Sequence, residues 1–172
     1  PLTFTLRVTD MANGDAPFAG VAVYAWHCDA QGRYSMYSEG VEDETWLRGV
    51  QVADANGQVT FTSIVPGCYT GRWPHIHFEV YPSIDDITDA GSAIATSQLA
   101  MPEAPLTDVY ALAAYDGSAR NLSQVTLSSD NVFGDDGGAL QVATVTGDTT
   151  GGYTAAPTVH VDTTATPSAC RA

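Results

Sequence analysis

The chain contains no lysine. Its six basic residues, all arginines, stand against 20 acidic ones in 172 residues, for a formal net charge of −14. Such a surface repels phosphate backbones and anionic lipid, and no local basic patch relieves it, so neither nucleic acid nor a membrane is expected as a partner. No run of about 18 apolar residues occurs, so no membrane-spanning helix is expected either. Cysteine is scarce: Cys28, Cys68 and Cys170 are widely spaced, with no C-x-x-C pair. Zinc-ribbon and thioredoxin-like readings therefore fail. An odd count in a secreted protein suggests one bridge plus a thiol whose partner lies elsewhere. There is no initiator Met, and the strand-like "PLTFTLRV" opens the chain, which reads as a mature or trimmed domain whose targeting segment has been removed.

What is present is mostly period two. "LTFTLRV" puts Leu2, Phe4, Leu6 and Val8 on one face, and "GVAVYAWHC" is apolar on both, as a buried sandwich strand is. "GVQVAD" and "GQVTFTSI" flank "DANG", a turn of the type that joins hairpin strands. "PHIHFEVY", "GALQVATVTG" and "APTVHV" are further strand candidates. The one helix candidate is "APLTDVYALAAY". Short strands, frequent Gly/Asp turns and a lone helix predict an all-β fold, an antiparallel β-sandwich with one short helix. The tail "DTTATPSACRA" lacks periodicity and is rich in Thr, Ala and Pro. The expected organisation is a domain over residues 1–161 and a tail over 162–172, either the start of a linker to another module or a frayed terminus.

Two of the four histidines lie one residue apart in "HIHFEVY". On a strand, His75, His77, Glu79 and Tyr81 share one face, and Ile76, Phe78 and Val80 share the other. Two imidazoles on one face can chelate a metal, but H-x-H by itself more often marks a solvated polar stripe on an outer sheet face. Tyr69 lies six positions before His75, after a turn, and Tyr34 follows another strand and Gly turn. Tyrosine ligates as phenolate, so a strongly acidic cation must displace its proton. Phenolate oxygens with imidazole nitrogens suit ferric iron better than zinc, calcium or magnesium. Taken singly, Tyr34 and Tyr69 read as rim or turn aromatics, Arg72 as a surface charge, and Trp46 and Trp73 as core or rim packing. His27 and His160 read as structural histidines.

Together, "GVAVYAWHCDAQGRYSMYS", "WLRGVQVADANGQVTFTSIVPGCYTGRWPHIHFEV" and "TSQL" resemble the core of the intradiol ring-cleavage dioxygenases, the family of catechol 1,2-dioxygenase and protocatechuate 3,4-dioxygenase. The likeness extends to the compact secreted members of actinobacteria and fungi and covers the chain to about Val161. The resemblance implies one non-haem Fe(III) per chain, held by Tyr34 and His75 as equatorial ligands and by Tyr69 and His77 as axial ones. It implies that Arg72 stabilises developing negative charge, that Tyr69 leaves the metal to take a substrate proton, and that Gln98 lies near the substrate ring. The implied reaction cleaves a catechol between its hydroxylated carbons, with dioxygen, to a muconate-type dicarboxylic acid. The implied setting is extracellular, with action on lignin-derived aromatics; if the tail is a linker, a covalently linked carbohydrate-binding module is the partner expected beyond it. Because both tyrosines would reach one ion, a Cys28–Cys68 disulfide is expected beside them. The family's N-terminal dimerising helices have no counterpart here, and the Tyr69–His75 loop is short, which implies an open pocket. Two other readings remain at this stage: a secreted carbohydrate-binding sandwich using Trp26, Trp46 and Trp73, and an inert metal-binding sandwich.

Overall fold

A computed structural model of the chain describes residues 1–165. The first strand, β1 (Leu2–Asp10), is the spine of one sheet. Its alternation is the physical reason: Leu2, Phe4, Leu6 and Val8 are each at most 2% exposed, pointing into the core. The other strands of this six-stranded sheet are β2 (Ala16–Pro17), β5 (Gln58–Ser63), β8 (Val145–Asp148), β9 (Gly152–Ala155) and β10 (Thr158–Val161). The second sheet has the order β4-β3-β6-β7, with β3 at Ala22–Trp26, β4 at Arg48–Val52, β6 at His75–Tyr81 and β7 at Ala95–Ala100. Every pairing in it is antiparallel. In the first sheet, β9 and β10 instead run parallel to β1.

The two sheets enclose one core, in which Val23 and Ala25 of β3 and Ile76, Phe78 and Val80 of β6 join the β1 residues. This is the all-β sandwich expected, with the apolar face of "HIHFEVY" turned inward. Among the described residues no helix is long and apolar enough to cross a membrane.

Three local expectations are corrected. "DANG" does not close a hairpin: β4 pairs with β3 while β5 pairs with β1, so the turn carries the chain from one sheet to the other. Asp54 accepts from the backbone N–H of Asn56 and Gln58, which tightens the turn. Ala53 is still bonded to Val21, so the crossing happens within four residues. "GALQVATVTG" is a turn and an isolated bridge between Val142 and Ala100 before β8 begins at Val145. The single helix proves to be two. α1 (Glu103–Val109) ends at Tyr110, Leu112 is extended, and α2 (Ser118–Leu122) starts after Gly117 in the left-handed region. Residues 166–172, most of the expected tail and Cys170 with it, lie outside the described residues.

Candidate metal centre

The site is built on the face of β6 turned away from the core. Strand register sets its first row: Trp26 of β3 lies opposite His77, and Gln98 of β7 lies opposite His77 on the other side. Directly opposed residues share a sheet face, so pairing alone brings Gln98 beside the histidines. Loops cover this face, leaving His75 and Gln98 each 2% exposed.

Two loops deliver the tyrosines. After β3, Asp29 accepts hydrogen bonds from the N–H of Gln31 and of Arg33 and from Arg33 Nε, curling the chain so that Tyr34 points back. Gly32 sits at φ 82°, and a Cβ there would meet Tyr69 Cβ at 2.9 Å. The second loop passes just as close: Gly67 donates to Asp29 O, and a Cβ on it would strike the Ala30 and Asp29 carbonyls. The helical segment straps that loop down. Tyr110 and Tyr115 donate to the Pro66 and Val65 carbonyls, Ser118 Oγ accepts from Cys68 N, and Asn121 Nδ2 donates to Cys68 O.

The result is convergence. His75 Nε2 lies 3.2 Å from the Tyr34 hydroxyl, 3.4 Å from the Tyr69 hydroxyl and 3.0 Å from His77 Nε2. His75 Nδ1 donates to the Trp73 carbonyl, which leaves the lone pair of Nε2 facing the other three groups. Donor atoms bonded at about 2.0–2.1 Å to one first-row ion lie roughly 2.9–3.4 Å apart for right-angle to tetrahedral geometry, and the three distances from His75 Nε2 fall in that range. Among the described residues there is no metal-binding group of three or more His, Cys, Asp or Glu. The candidate donors at this point are two phenols and two imidazoles.

Burial governs the protonation states. It holds both phenols up from their ordinary range, Tyr34 strongly, with the Arg72 charge pulling each the other way. It pushes His75 down to about 4 and His77 down to about 3, assisted by Arg72 and, for His77, by the neighbouring His75. Both imidazoles are thus neutral near pH 7, as metal ligation requires. Without a cation the phenols keep their protons, so the donor set calls for a strongly acidic ion such as ferric iron.

Arg72 lies at the edge of this group. Its Nη2 donates to Gln98 Oε1 at 2.6 Å and its Nε to Asp130 Oδ2 at 2.9 Å. Sequence reasoning missed Asp130, a buried carboxylate 58 positions from Arg72 and one of many loop aspartates with no local mark. It also missed Trp26, whose ring stacks on His77. The signal for Trp26 was its offset across the β3–β6 pair, which only the register reveals. Trp73 is buried, its Nε1 bonded to the Met101 carbonyl. His27 is structural, donating from Nδ1 to Cys28 O and accepting from Ser63 Oγ at Nε2. His160 binds Asp15 and Thr9 at the surface.

The expected Cys28–Cys68 disulfide is absent; both are free, buried thiols. The loops do approach one another, but the sulfurs are aimed at different carbonyls: Cys28 at Gly67, Cys68 at Arg72 and Tyr69. Burial pushes the two thiols up to about 12 and about 11.

Comparison with known proteins identifies the family. A family model described as "Dioxygenase" matches residues 1–88. An intradiol ring-cleavage dioxygenase from Tetranychus urticae superposes with a TM-score of 0.78 at 24% identity, over 98% of this chain and 83% of its own. The dioxygenase domain of a dioxygenase–carbohydrate-binding fusion from the cellulolytic Streptomyces sp. SirexAA-E does so at 0.61 and 26% identity, over 94% of this chain and 79% of its own. Catechol 1,2-dioxygenase from Acinetobacter sp. ADP1 shares the fold at 0.57 and 20% identity, and this chain spans only 51% of it. With half of the chain matched by the family model and the sandwich shared with these structures, the chain belongs to the intradiol ring-cleavage dioxygenase family.

Proposed function

We propose that this protein is a non-haem Fe(III) dioxygenase that cleaves catechol-type rings between the two hydroxylated carbons, giving muconate-type dicarboxylic acids. The observation that carries this reading is the convergence of the Tyr34 and Tyr69 hydroxyls and His77 Nε2 to within 3.0–3.4 Å of His75 Nε2. Ferric iron held by these four residues would supply Lewis acidity, drawing electron density from a chelated catechol and readying the ring for dioxygen. The remaining work falls to the chain. Tyr69 Oη, which the family resemblance makes the phenolate that leaves the metal, is the group that would take a proton from a catechol hydroxyl. Arg72 presents a fixed positive charge to the oxygens that gain negative charge during attack. Gln98 holds that guanidinium from the sheet side. Trp26 covers the His77 ring and limits water at that ligand.

An extracellular setting and action on lignin-derived aromatics are part of the same proposal. They rest on the resemblance to secreted members and on the Streptomyces relative, a carbohydrate-binding fusion from a cellulolytic bacterium. A carbohydrate-binding function for the sandwich itself is disfavoured, because Trp73 is buried and its Nε1 is satisfied inside the protein. Oxygen uptake by the ferric-loaded chain across a panel of substituted catechols tests the reading. A coloured protein that consumes oxygen with at least one catechol is expected. A coloured protein inert toward all of them, or one that stays colourless after ferric loading, overturns it.

A further inference from the structure

Asp130 is an unusual carboxylate. Its side chain is fully buried, yet every polar direction around it is filled. Oδ2 accepts from Arg72 Nε at 2.9 Å and from the Trp73 backbone N–H at 2.7 Å. Oδ1 accepts from the N–H groups of Val132 and Phe133 at 2.8 and 3.1 Å. Burying a carboxylate costs several kcal/mol in effective terms unless it is paired and hydrogen-bonded, and here four donors meet that requirement. Burial tends to raise its pKa, but the hydrogen bonds from Arg72, Trp73, Val132 and Phe133 hold it below its ordinary value.

Three of these four bonds lead to the site. Arg72 is gripped at Nε by Asp130 and at Nη2 by Gln98, which defines the plane of its guanidinium. Nη1 then has no hydrogen-bond partner among the described residues. The Trp73 backbone is gripped at its N–H by Asp130, while the Trp73 carbonyl, in the next peptide unit, accepts from His75 Nδ1 and so sets the tautomer of that ring. The third grip is on Phe133, fully buried and edge-on to the His75 ring at 6.4 Å.

We propose that Asp130 is a positioning residue for ring cleavage, orienting the Arg72 guanidinium and the His75 imidazole through hydrogen bonds to one carboxylate. The proposal rests on the catechol-cleaving reading above and assigns Asp130 no contact with substrate. Its chemistry is specific to a carboxylate. Asparagine keeps an acceptor for Val132 and Phe133 but turns an NH₂ donor toward the donors of Arg72 and Trp73. The guanidinium would then lose the grip at Nε and turn about Gln98.

The test compares the full ferric-loaded chain with D130N, R72L and the double variant, reading iron content, resting spectrum, kcat and KM. Loss of a group that orients a ligand or catalytic side chain typically costs about 10–100-fold in metal affinity or activity. D130N is expected to lose that much, in iron retention through His75 and in kcat per bound iron through Arg72, and to lower kcat per bound iron little further when Arg72 is already Leu. Losses of kcat per bound iron that multiply independently in the double variant would overturn the proposal. A second measurement needs neither turnover nor a folded variant. In the wild-type chain freed of paramagnetic metal, the Arg72 Nε–H signal in nitrogen-15 NMR should exchange slowly with water, and rapid exchange would overturn the proposal. A wild-type chain that takes up no oxygen with any catechol overturns the ring-cleavage reading instead, while the Nε–H signal still reports whether Asp130 holds Arg72.

Discussion

The indole of Trp26 lies parallel to the imidazole of His77, with ring centroids 4.8 Å apart and planes 7° from coplanar. Tyr24 stacks on the other side of Trp26 at 4.9 Å, and Arg48 Nη1 donates to the Tyr24 hydroxyl. The His77 ring is therefore clamped by an aromatic stack whose outer end is tied by an arginine. Trp26→Ala should free His77 to rotate and cost about 10-fold in iron affinity, as loss of a ligand's support does, whereas Trp26→Phe should retain most of it. Iron titration with and without a competing chelator measures both. Equal affinity in Trp26→Ala and wild type would remove the clamp from the account.

The two tyrosines should fail differently. If Tyr34 is the permanent ligand, Tyr34→Phe loses iron retention and the visible tyrosinate colour. Tyr69→Phe should keep more iron yet slow catechol binding and turnover beyond what metal content explains, because it removes the phenolate proposed to take the substrate proton. Iron content, resting spectrum and single-turnover kinetics separate them. Identical behaviour in all three contradicts the division of roles.

Gly32 tests the crossing of the two tyrosine loops. Alanine there must hold φ 82° and place its Cβ 2.9 Å from Tyr69 Cβ. We expect Gly32→Ala to destabilise the fold by more than about 1 kcal/mol and to lower iron retention, since Tyr69 must shift. Denaturant unfolding and metal analysis check the two effects. An unchanged unfolding midpoint would mean the loops part easily.

Acid should loosen the protein through His27. Its pKa is pushed down to about 4 by burial, from an ordinary 6.5. As pH falls below 6.5 the unfolded chain takes up the proton first, so stability is complete above that value and is lost between pH 6.5 and about 4. The shift corresponds to something on the order of 3 kcal/mol at the acid end. Urea unfolding of wild type and His27→Gln over that range should show a shallower pH slope in the variant. Parallel slopes would show that His27 does not titrate with folding.

Cys28 and Cys68 should both be free. After unfolding without reductant, alkylation followed by mass spectrometry should find both modified, and little labelling should occur before unfolding, given thiols pushed up to about 12 and about 11. Recovery of a Cys28–Cys68 bridged peptide would contradict the structure.

Much of this was legible in one dimension because the relevant physics is local. Alternation along β1 and β6 determines which side chains enter the core, since a strand has a period of two. The same alternation puts His75 and His77 on one face. The chemistry of phenolate and imidazole then names ferric iron as the ion those residue types favour, before any distance is known. What the sequence could not decide was which distant segments meet. "DANG" has the turn chemistry of a hairpin, but whether its flanking strands pair depends on which sheet needs an edge, and here β3 and β1 each claim one of them. The cysteines sit on loops that do cross, yet a bond depends on where each sulfur points, and carbonyls at Gly67 and Arg72 take those directions. Trp26 and Gln98 join His77 through strand register, and Asp130 reaches Arg72 across 58 residues. Residue type and local periodicity specify what each segment can do chemically; only the pairing of sheets and loops, driven by burial of the whole chain, specifies which of those capabilities come together in one place.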